Sequence, residues 1–289
     1  MIETPLPGQF PPSFTTSGRV NLSQVMREHK DKGHRPQPFP PTRIEDARPL
    51  QQGRNQADFL DEHGFVLLNA PHTVSDWGDR ENVAQNYLPQ VEEIIRSRLY
   101  PGRKLIVMQP PFVMRRGAGT DVPQYGTGIH CDHDRSLDDY QHNVAAYAGE
   151  EMAAKWRHRV EQDDVDTFVV LDFWRPTMDE PLRHMPLVLC DPNSIDPGDM
   201  ISTALEGLAP KLDTTLHIGL KHNPGQRWYY YPEMTADEVL VFKLFEFTKG
   251  QEPQRFRACL HCAVDDPNTP ADAKPRQSCE HRVSVLLLK

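Results

Sequence analysis

Helical periodicity governs the first half of the chain, and short strand-like runs govern the second. From Asp58 to Asn69 the segment DFLDEHGFVLLN predicts a short helix running into a strand, with Gly64 as the C-cap between them. From Asn82 to Leu99 the apolar positions Val83, Tyr87, Val91, Ile94 and Ile95 recur at helical spacing, and Pro89 marks a kink. Tyr140, Val144, Tyr147, Trp156 and Val160 predict more helix between Leu137 and Val160, divided at Gly149. The character then changes. The runs VDTFVVLDF (165–173), MPLVLC (185–190), TTLHIGL (214–220), EVLVFKLFEF (238–247) and SVLLLK (284–289) are separated by Pro, Gly, Asn and Asp clusters. Many strands with turn punctuation, preceded by helices, predict a mainly β fold: a two-layer sandwich or jelly roll with helices packed outside.

Residues 1–45 differ from the rest. They hold Pro5, Pro7, Pro11, Pro12, Pro36, Pro38, Pro40 and Pro41 with few aliphatics, a composition that predicts an extended arm wrapping the surface or a neighbouring subunit. Residues 46–289 then form one domain, a size that single jelly rolls commonly reach. With 41 acidic against 32 basic residues the formal charge is −9, and no basic stretch offers the footprint that nucleic acid requires. Neither an apolar membrane span nor a signal peptide is read in the chain, and its five cysteines are odd in number, so free thiols in a cytoplasmic protein are expected. Cys259 and Cys262 form one C-x-x-C, without the second pair of a zinc ribbon or the following His of a haem attachment site.

The densest chemical signal is YGTGIHCDHD, residues 125–134. On a β-type segment His130 and Asp132 share a face while Cys131 points the other way, so an imidazole and a carboxylate reach one metal ion. A second imidazole would complete a set of two histidines and one carboxylate, which leaves open the positions that non-haem iron(II) oxygenases use. An isolated H-x-D is weak evidence, and two downstream histidines compete. His261, in the apolar run ACLHCAVDDP, stands slightly ahead of His217, which suits a core histidine equally well; His222 looks like a turn residue. A carboxylate-bearing co-substrate would need a cation, and Arg276, Ser278, Glu280 and Arg282 alternate on what reads as one strand face.

Five stretches taken in order resemble the fungal and bacterial CmcJ/NvfI-like hydroxylase/desaturase family, which includes cephem-methoxylase-like, gibberellin-desaturase-like and meroterpenoid endoperoxide-forming proteins. They are GFVLLNAPHTVSDW (64–77), GIHCDHD (128–134), FWRP with MPLVLCD (173–176 and 185–191), RWYYYPEMTADEVLVFKLFE (227–246), and HCAVDDPNTP with PRQSCEHR (261–270 and 275–282). The resemblance implies a double-stranded β-helix core, iron(II), 2-oxoglutarate and O₂, a small-molecule substrate, and His261 as the second imidazole. His217 then reverts to the core. It implies that the R-x-S-x-E-x-R segment grips 2-oxoglutarate and leaves Arg276 with Ser278 level with Arg282 for that task.

Around this centre Tyr125, His133, Arg175, Trp228 and Tyr230 are candidate pocket residues. The expected reaction is oxidative decarboxylation of 2-oxoglutarate coupled to hydroxylation or desaturation of a small organic molecule, as in secondary metabolism. Two other classes compete: a cupin-like metal-dependent isomerase or binding protein without oxygen chemistry, and a helical hydrolase of the His-Asp metal type, which His133 and Asp134 alone suggest. The proline-rich arm would suit exchange between subunits of a homo-oligomer.

Overall fold

A computed structural model describes residues 1–31 and 39–289; Pro36 and Pro38 of the arm lie outside the described residues. The amino-terminal region holds strand β1 (Ile2–Thr4), strand β2 (Val20–Asn21), helix α1 (Leu22–Asp31), strand β3 (Thr42–Asp46), helices α2 (Arg48–Gln51) and α3 (Gln56–His63), and strand β4 (Phe65–Asn69). Helices α4 (Arg80–Asn86) and α5 (Leu88–Ile94) follow, then one π turn over Ile95–Leu99, strands β5 (Leu105–Met108) and β6 (Met114–Arg116), and helices α6 (Leu137–Ala148) and α7 (Glu150–Val160). The second half is strand-rich: β7 (Val165–Pro176), β8 (Leu187–Cys190), β9 (Met200–Glu206), β10 (Thr214–Leu220), β11 (Trp228–Tyr230), β12 (Glu238–Thr248), β13 (His261–Ala263) and β14 (Ser278–Leu288).

Local signals explain most of these boundaries. The Asn55 side chain accepts from the backbone N–H of Ala57 and Asp58 to start α3, and Gly64 ends it at φ +74°. Gly149, at φ +94°, separates α6 from α7 as expected. Pro89 stands in the first turn of α5, so it starts a helix where the periodicity alone predicts a kink in a longer one.

One sheet runs β4-β12-β7-β14-β5, with β6 also paired to β14. Its core is continuous with the helices, since Phe59, Val83, Tyr87, Val91 and Ile95 share a buried cluster with Phe173, Val241, Val283 and Val285. The opposing layer consists of β1-β3-β11-β8-β13 and β10-β9-β2. Between those two pieces lies the segment Ile129–Cys131. His130 pairs with His261 on β13, and Cys131 pairs with Ile218 on β10, so the H-x-D segment stitches the second layer together. The result is a jelly roll with its chemistry-bearing motif in the seam.

The arm departs from the expected extended strap. It carries helix α1, its β2 pairs with β9, and Ile2 and Leu6 are buried in the cluster that holds Trp228, Tyr230 and Ile218. The Pro7 carbonyl accepts from the Ile129 N–H at 3.0 Å, so the arm braces the seam from outside.

Gly64 tests the fold directly. A Cβ there would stand 2.6 Å from the Arg257 carbonyl and 2.9 Å from Cys259 Sγ, at a positive φ. Gly64→Ala is expected to lower the unfolding free energy by about 2–3 kcal/mol, read as a lower urea midpoint with unchanged slope.

Candidate metal centre

The centre begins with backbone geometry. His130 N–H donates to the His261 carbonyl at 3.2 Å and His261 N–H donates back at 2.9 Å, a reciprocal pair that sets the two rings side by side with centroids 4.6 Å apart. Each ring is then oriented by a carbonyl. Nδ1 of His130 donates to Gly128 O at 2.7 Å, and Nδ1 of His261 donates to Cys259 O at 3.1 Å. A carbonyl only accepts, so both Nδ1 atoms carry a proton, and in the neutral ring the lone pair is on Nε2.

Asp132 lies two residues along the same face, with Oδ1 3.5 Å from His130 Nε2. One ligand atom from each of His130, Asp132 and His261 falls within 4.8 Å of the others, and Asp132 Oδ2 is buried without a hydrogen bond among the described residues. Burial opposes the charged form of Asp132, but the Arg282 guanidinium and the neighbouring imidazoles outweigh it and hold the carboxyl far below its usual range. Burial and the adjacent His130 push His261 down to about 4, so it is neutral at pH 7. An ionised carboxylate and two imidazoles, each with a carbonyl behind its Nδ1 and its Nε2 turned to the shared space, together fit a divalent transition metal. His130 is partly open to solvent while Asp132 and His261 are buried, so access is from one side.

The inner face of the six-stranded sheet confronts this centre with charge. Asp172 on β7 pairs in register with Arg282 on β14, and Trp174 pairs with Glu280. Glu280 accepts two bonds from Arg116 at 2.9 and 3.0 Å and one from Arg282 at 3.1 Å. Arg282 Nη2 also lies 3.3 Å from Asp132 Oδ2.

Arg276 is different. It is 1 % exposed, sandwiched between the Tyr125 ring at 4.3 Å and the Trp174 ring at 5.5 Å, and it donates to the Met185 carbonyl. No carboxylate partners it among the described residues, its Nε has no acceptor, and burial pulls its guanidinium down to about 10. The hydroxyl of Ser278 is likewise buried without a partner.

Other expected site residues separate into two groups. Tyr125 stands by Arg276, donating its hydroxyl to the Arg276 carbonyl at 2.8 Å. His133 is beside Asp132, packed on Tyr140 at 4.5 Å, and burial pushes it down to about 3. His217 is buried within electrostatic reach of Asp132 and His130, with Thr215 Oγ1 2.7 Å from its Nε2 and no partner for Nδ1, so it borders the centre.

Arg175, Trp228 and Tyr230 are not brought to the centre. Arg175 points to the outer face of β7, where it donates to the Ala70 and Ala236 carbonyls and meets Trp77 and Tyr87. Trp228 and Tyr230 pair with Cys190 and Val188 on the outer side of their sheet, beneath Ile2 and Leu6. The C-x-x-C does not act as a pair either. Cys259 and Cys262 fall into different buried clusters, and burial raises both thiols.

Sequence reasoning missed Asn143, Arg116 and Asp172. Asn143 is 2 % exposed on α6; its amide donates to the Leu216 and Asp132 carbonyls and its Oδ1 accepts from the Leu216 N–H, tying Asp132 to β10. An amide on the helix face shared by Tyr140, Val144 and Tyr147 was the available signal.

Residues 16–286 match the family described as the Oxidoreductase/YMDC permease-like domain. Among the described residues no helix is long and apolar enough to cross a membrane. The chain is 26 % identical over 251 residues, 84 % of its length and 82 % of the relative's, to the "Fe(II)/2-oxoglutarate-dependent dioxygenase nvfI" of Aspergillus novofumigatus. It is 26 % identical over 234 residues, 78 % of this chain and 79 % of the other, to the "Alpha-ketoglutarate-dependent dioxygenase phiK" of a fungal species. The solved structure of the "iron and alpha-ketoglutarate-dependent endoperoxidase NvfI" superposes with a TM-score of 0.65 at 21 % identity, covering 100 % of this chain and 96 % of that one.

A bound metal that selects the folded state must raise its melting temperature. Saturating Mn(II) is expected to raise the midpoint of the wild type by several degrees in differential scanning fluorimetry, and to leave that of Asp132→Ala unmoved.

Proposed function

The chain belongs to the Oxidoreductase/YMDC permease-like domain family and to the CmcJ/NvfI-like hydroxylase/desaturases of the Fe(II)/2-oxoglutarate-dependent oxygenases, and on that premise we propose how its residues divide the work. The protein is a dioxygenase that uses Fe(II), 2-oxoglutarate and O₂ to hydroxylate or desaturate a small organic molecule in secondary metabolism. His130, Asp132 and His261 hold the metal. The observation that carries this assignment is the reciprocal His130–His261 backbone pair, with both Nε2 atoms free and the Asp132 carboxylate beside them. When bound, the metal with its co-substrate and O₂ supplies the oxidising power that removes hydrogen from carbon.

The protein's own part is binding, orientation and exclusion of water. Arg276 and Ser278 take the distal carboxylate of 2-oxoglutarate in this reading. In support, Arg276 is a buried cation without an anion, and both its Nε and the Ser278 hydroxyl lack partners, whereas Arg282 already answers to Asp132 and Glu280. Tyr125 and Trp174 flank the Arg276 guanidinium and keep its fork aimed. His133 and His217, both neutral at pH 7, border the substrate space as uncharged polar groups. The five unpaired cysteines fit a reducing compartment such as the cytoplasm. The observations give no support to a cupin-like isomerase or binding protein.

Anaerobic reconstitution with Fe(II) followed by 2-oxoglutarate is expected to give the weak visible charge-transfer band of the chelate in the wild type and none in His261→Ala. A folded, iron-loaded wild type without the band would overturn the reading. For Arg276→Met, the 2-oxoglutarate concentration that half-saturates the band is expected to rise by about 10- to 100-fold, the loss of a charge-assisted pair, with Fe(II) binding unchanged.

A further inference from the structure

Three coordination positions must stay available if a chelating co-substrate and O₂ are to bind together, and a carboxylate ligand threatens one of them. A carboxylate has two oxygens. If both face the ion, the second takes a place the co-substrate needs. In this centre the two oxygens of Asp132 have different neighbours: Oδ1 is 3.5 Å from His130 Nε2, and Oδ2 is 3.3 Å from Arg282 Nη2.

We propose that Arg282 is a positioning residue, which holds Oδ2 of Asp132 away from the metal so that Oδ1 alone is offered, with Glu280 and Arg116 fixing its guanidinium from behind. The proposal rests on the reading of His130, Asp132 and His261 as the metal ligands.

Four observations carry it. Arg282 is the inward residue of β14 level with Asp172, and so faces the seam that contains Asp132. The same Nη2 that lies 3.3 Å from Asp132 Oδ2 donates to Glu280 Oε1 at 3.1 Å, so Glu280 fixes the position of the nitrogen that faces Asp132. Glu280 cannot swing, since both its oxygens are taken by Arg116 on the neighbouring β6 at 2.9 and 3.0 Å. Lastly, Asp172 does not compete for Arg282 as a full anion. It is 2 % exposed, its Oδ1 accepts from the His281 N–H at 3.2 Å, and burial with Glu280 nearby raises its carboxyl well above the usual range. The chain Arg116–Glu280–Arg282–Asp132 thus runs from one sheet to the metal motif on the other, and each cation in it has an anion of its own. Arg276 has none, and the two arginines thereby receive different tasks.

The test is the number of water molecules on a bound Mn(II) ion, read as inner-sphere proton relaxivity of the anaerobic complex without 2-oxoglutarate. Released from Arg282, Asp132 binds through both oxygens and displaces one water of three, so Arg282→Met is expected to lower that relaxivity by about one third. Arg282→Lys keeps a cation within reach of Oδ2 and is expected to return it towards the wild-type value. Because Arg282→Met also breaks a partly buried ion pair, Glu280→Gln is the second variant; it loosens the hold on Arg282 Nη2 and is expected to lower the relaxivity in the same direction by less.

Wild-type relaxivity in folded Arg282→Met and Glu280→Gln overturns the proposal. If Arg282→Met instead keeps that relaxivity and needs ten times more 2-oxoglutarate to half-saturate the Fe(II) band, Arg282 is the co-substrate grip and the proposal also falls. Failure of the underlying assignment looks different: Asp132→Ala and His261→Ala would then bind Mn(II) as tightly as the wild type.

Discussion

Two backbone hydrogen bonds between His130 and His261 are the constraint on which the rest of the centre depends. They set the spacing of the imidazoles before any side chain chooses a rotamer, and they join strands that are far apart in the chain. The carbonyls of Gly128 and Cys259 then fix which nitrogen of each ring carries the proton. Asp132 follows from its place two residues beyond His130, and Asn143 ties that stretch to β10. The spacing of the three candidate ligands is therefore a property of sheet register, more rigid than a site built on loops.

Around this frame the interior carries several charged side chains. Arg116, Glu280, Arg282 and Asp132 form a line of alternating charge, in which Asp132 Oδ2 and Arg282 Nε make no hydrogen bond among the described residues, and burial raises the Asp172 carboxyl beside them. Taking such charges out of water costs several kcal/mol per ion, and geometry of this quality is what offsets the cost. Two buried arginines have no carboxylate partner among the described residues: Arg276, on the inner face between the Tyr125 and Trp174 rings, and Arg175, on the outer face of β7.

Much of this was legible in the sequence, and the failures share a cause. The H-x-D spacing predicts that His130 and Asp132 share a face, and the two side chains do come together with His261, His130 being bridged to His261 and Asp132 standing at the bend that follows. Gly64 and Gly149 ended their helices as expected. The errors came where strands are buried on both sides. In β7 and β11 nearly every residue is inaccessible, so no polar alternation reveals which face is inward. Arg175, Trp228 and Tyr230 were assigned to the wrong face for that reason. His261 and His217 both lie in apolar strands, and only the long-range pairing with His130 separates them; the family resemblance supplied what residue pattern could not. The arm's contribution to the core was hidden because it rests on two aliphatics, Ile2 and Leu6, in a proline-rich background.

The position of β14 has a consequence for how the protein is made. It is the last strand of the chain, yet it lies inside the larger sheet, hydrogen-bonded to β7 on one side and to β5 and β6 on the other. In a chain that folds from its amino-terminal side, β7 therefore presents an open, strongly apolar edge until β14 pairs with it, a state prone to aggregation. Without β14 the larger sheet would fall into two parts, β4-β12-β7 on one side and β5 with β6 on the other, so the two halves of the fold cohere only once this strand is in place.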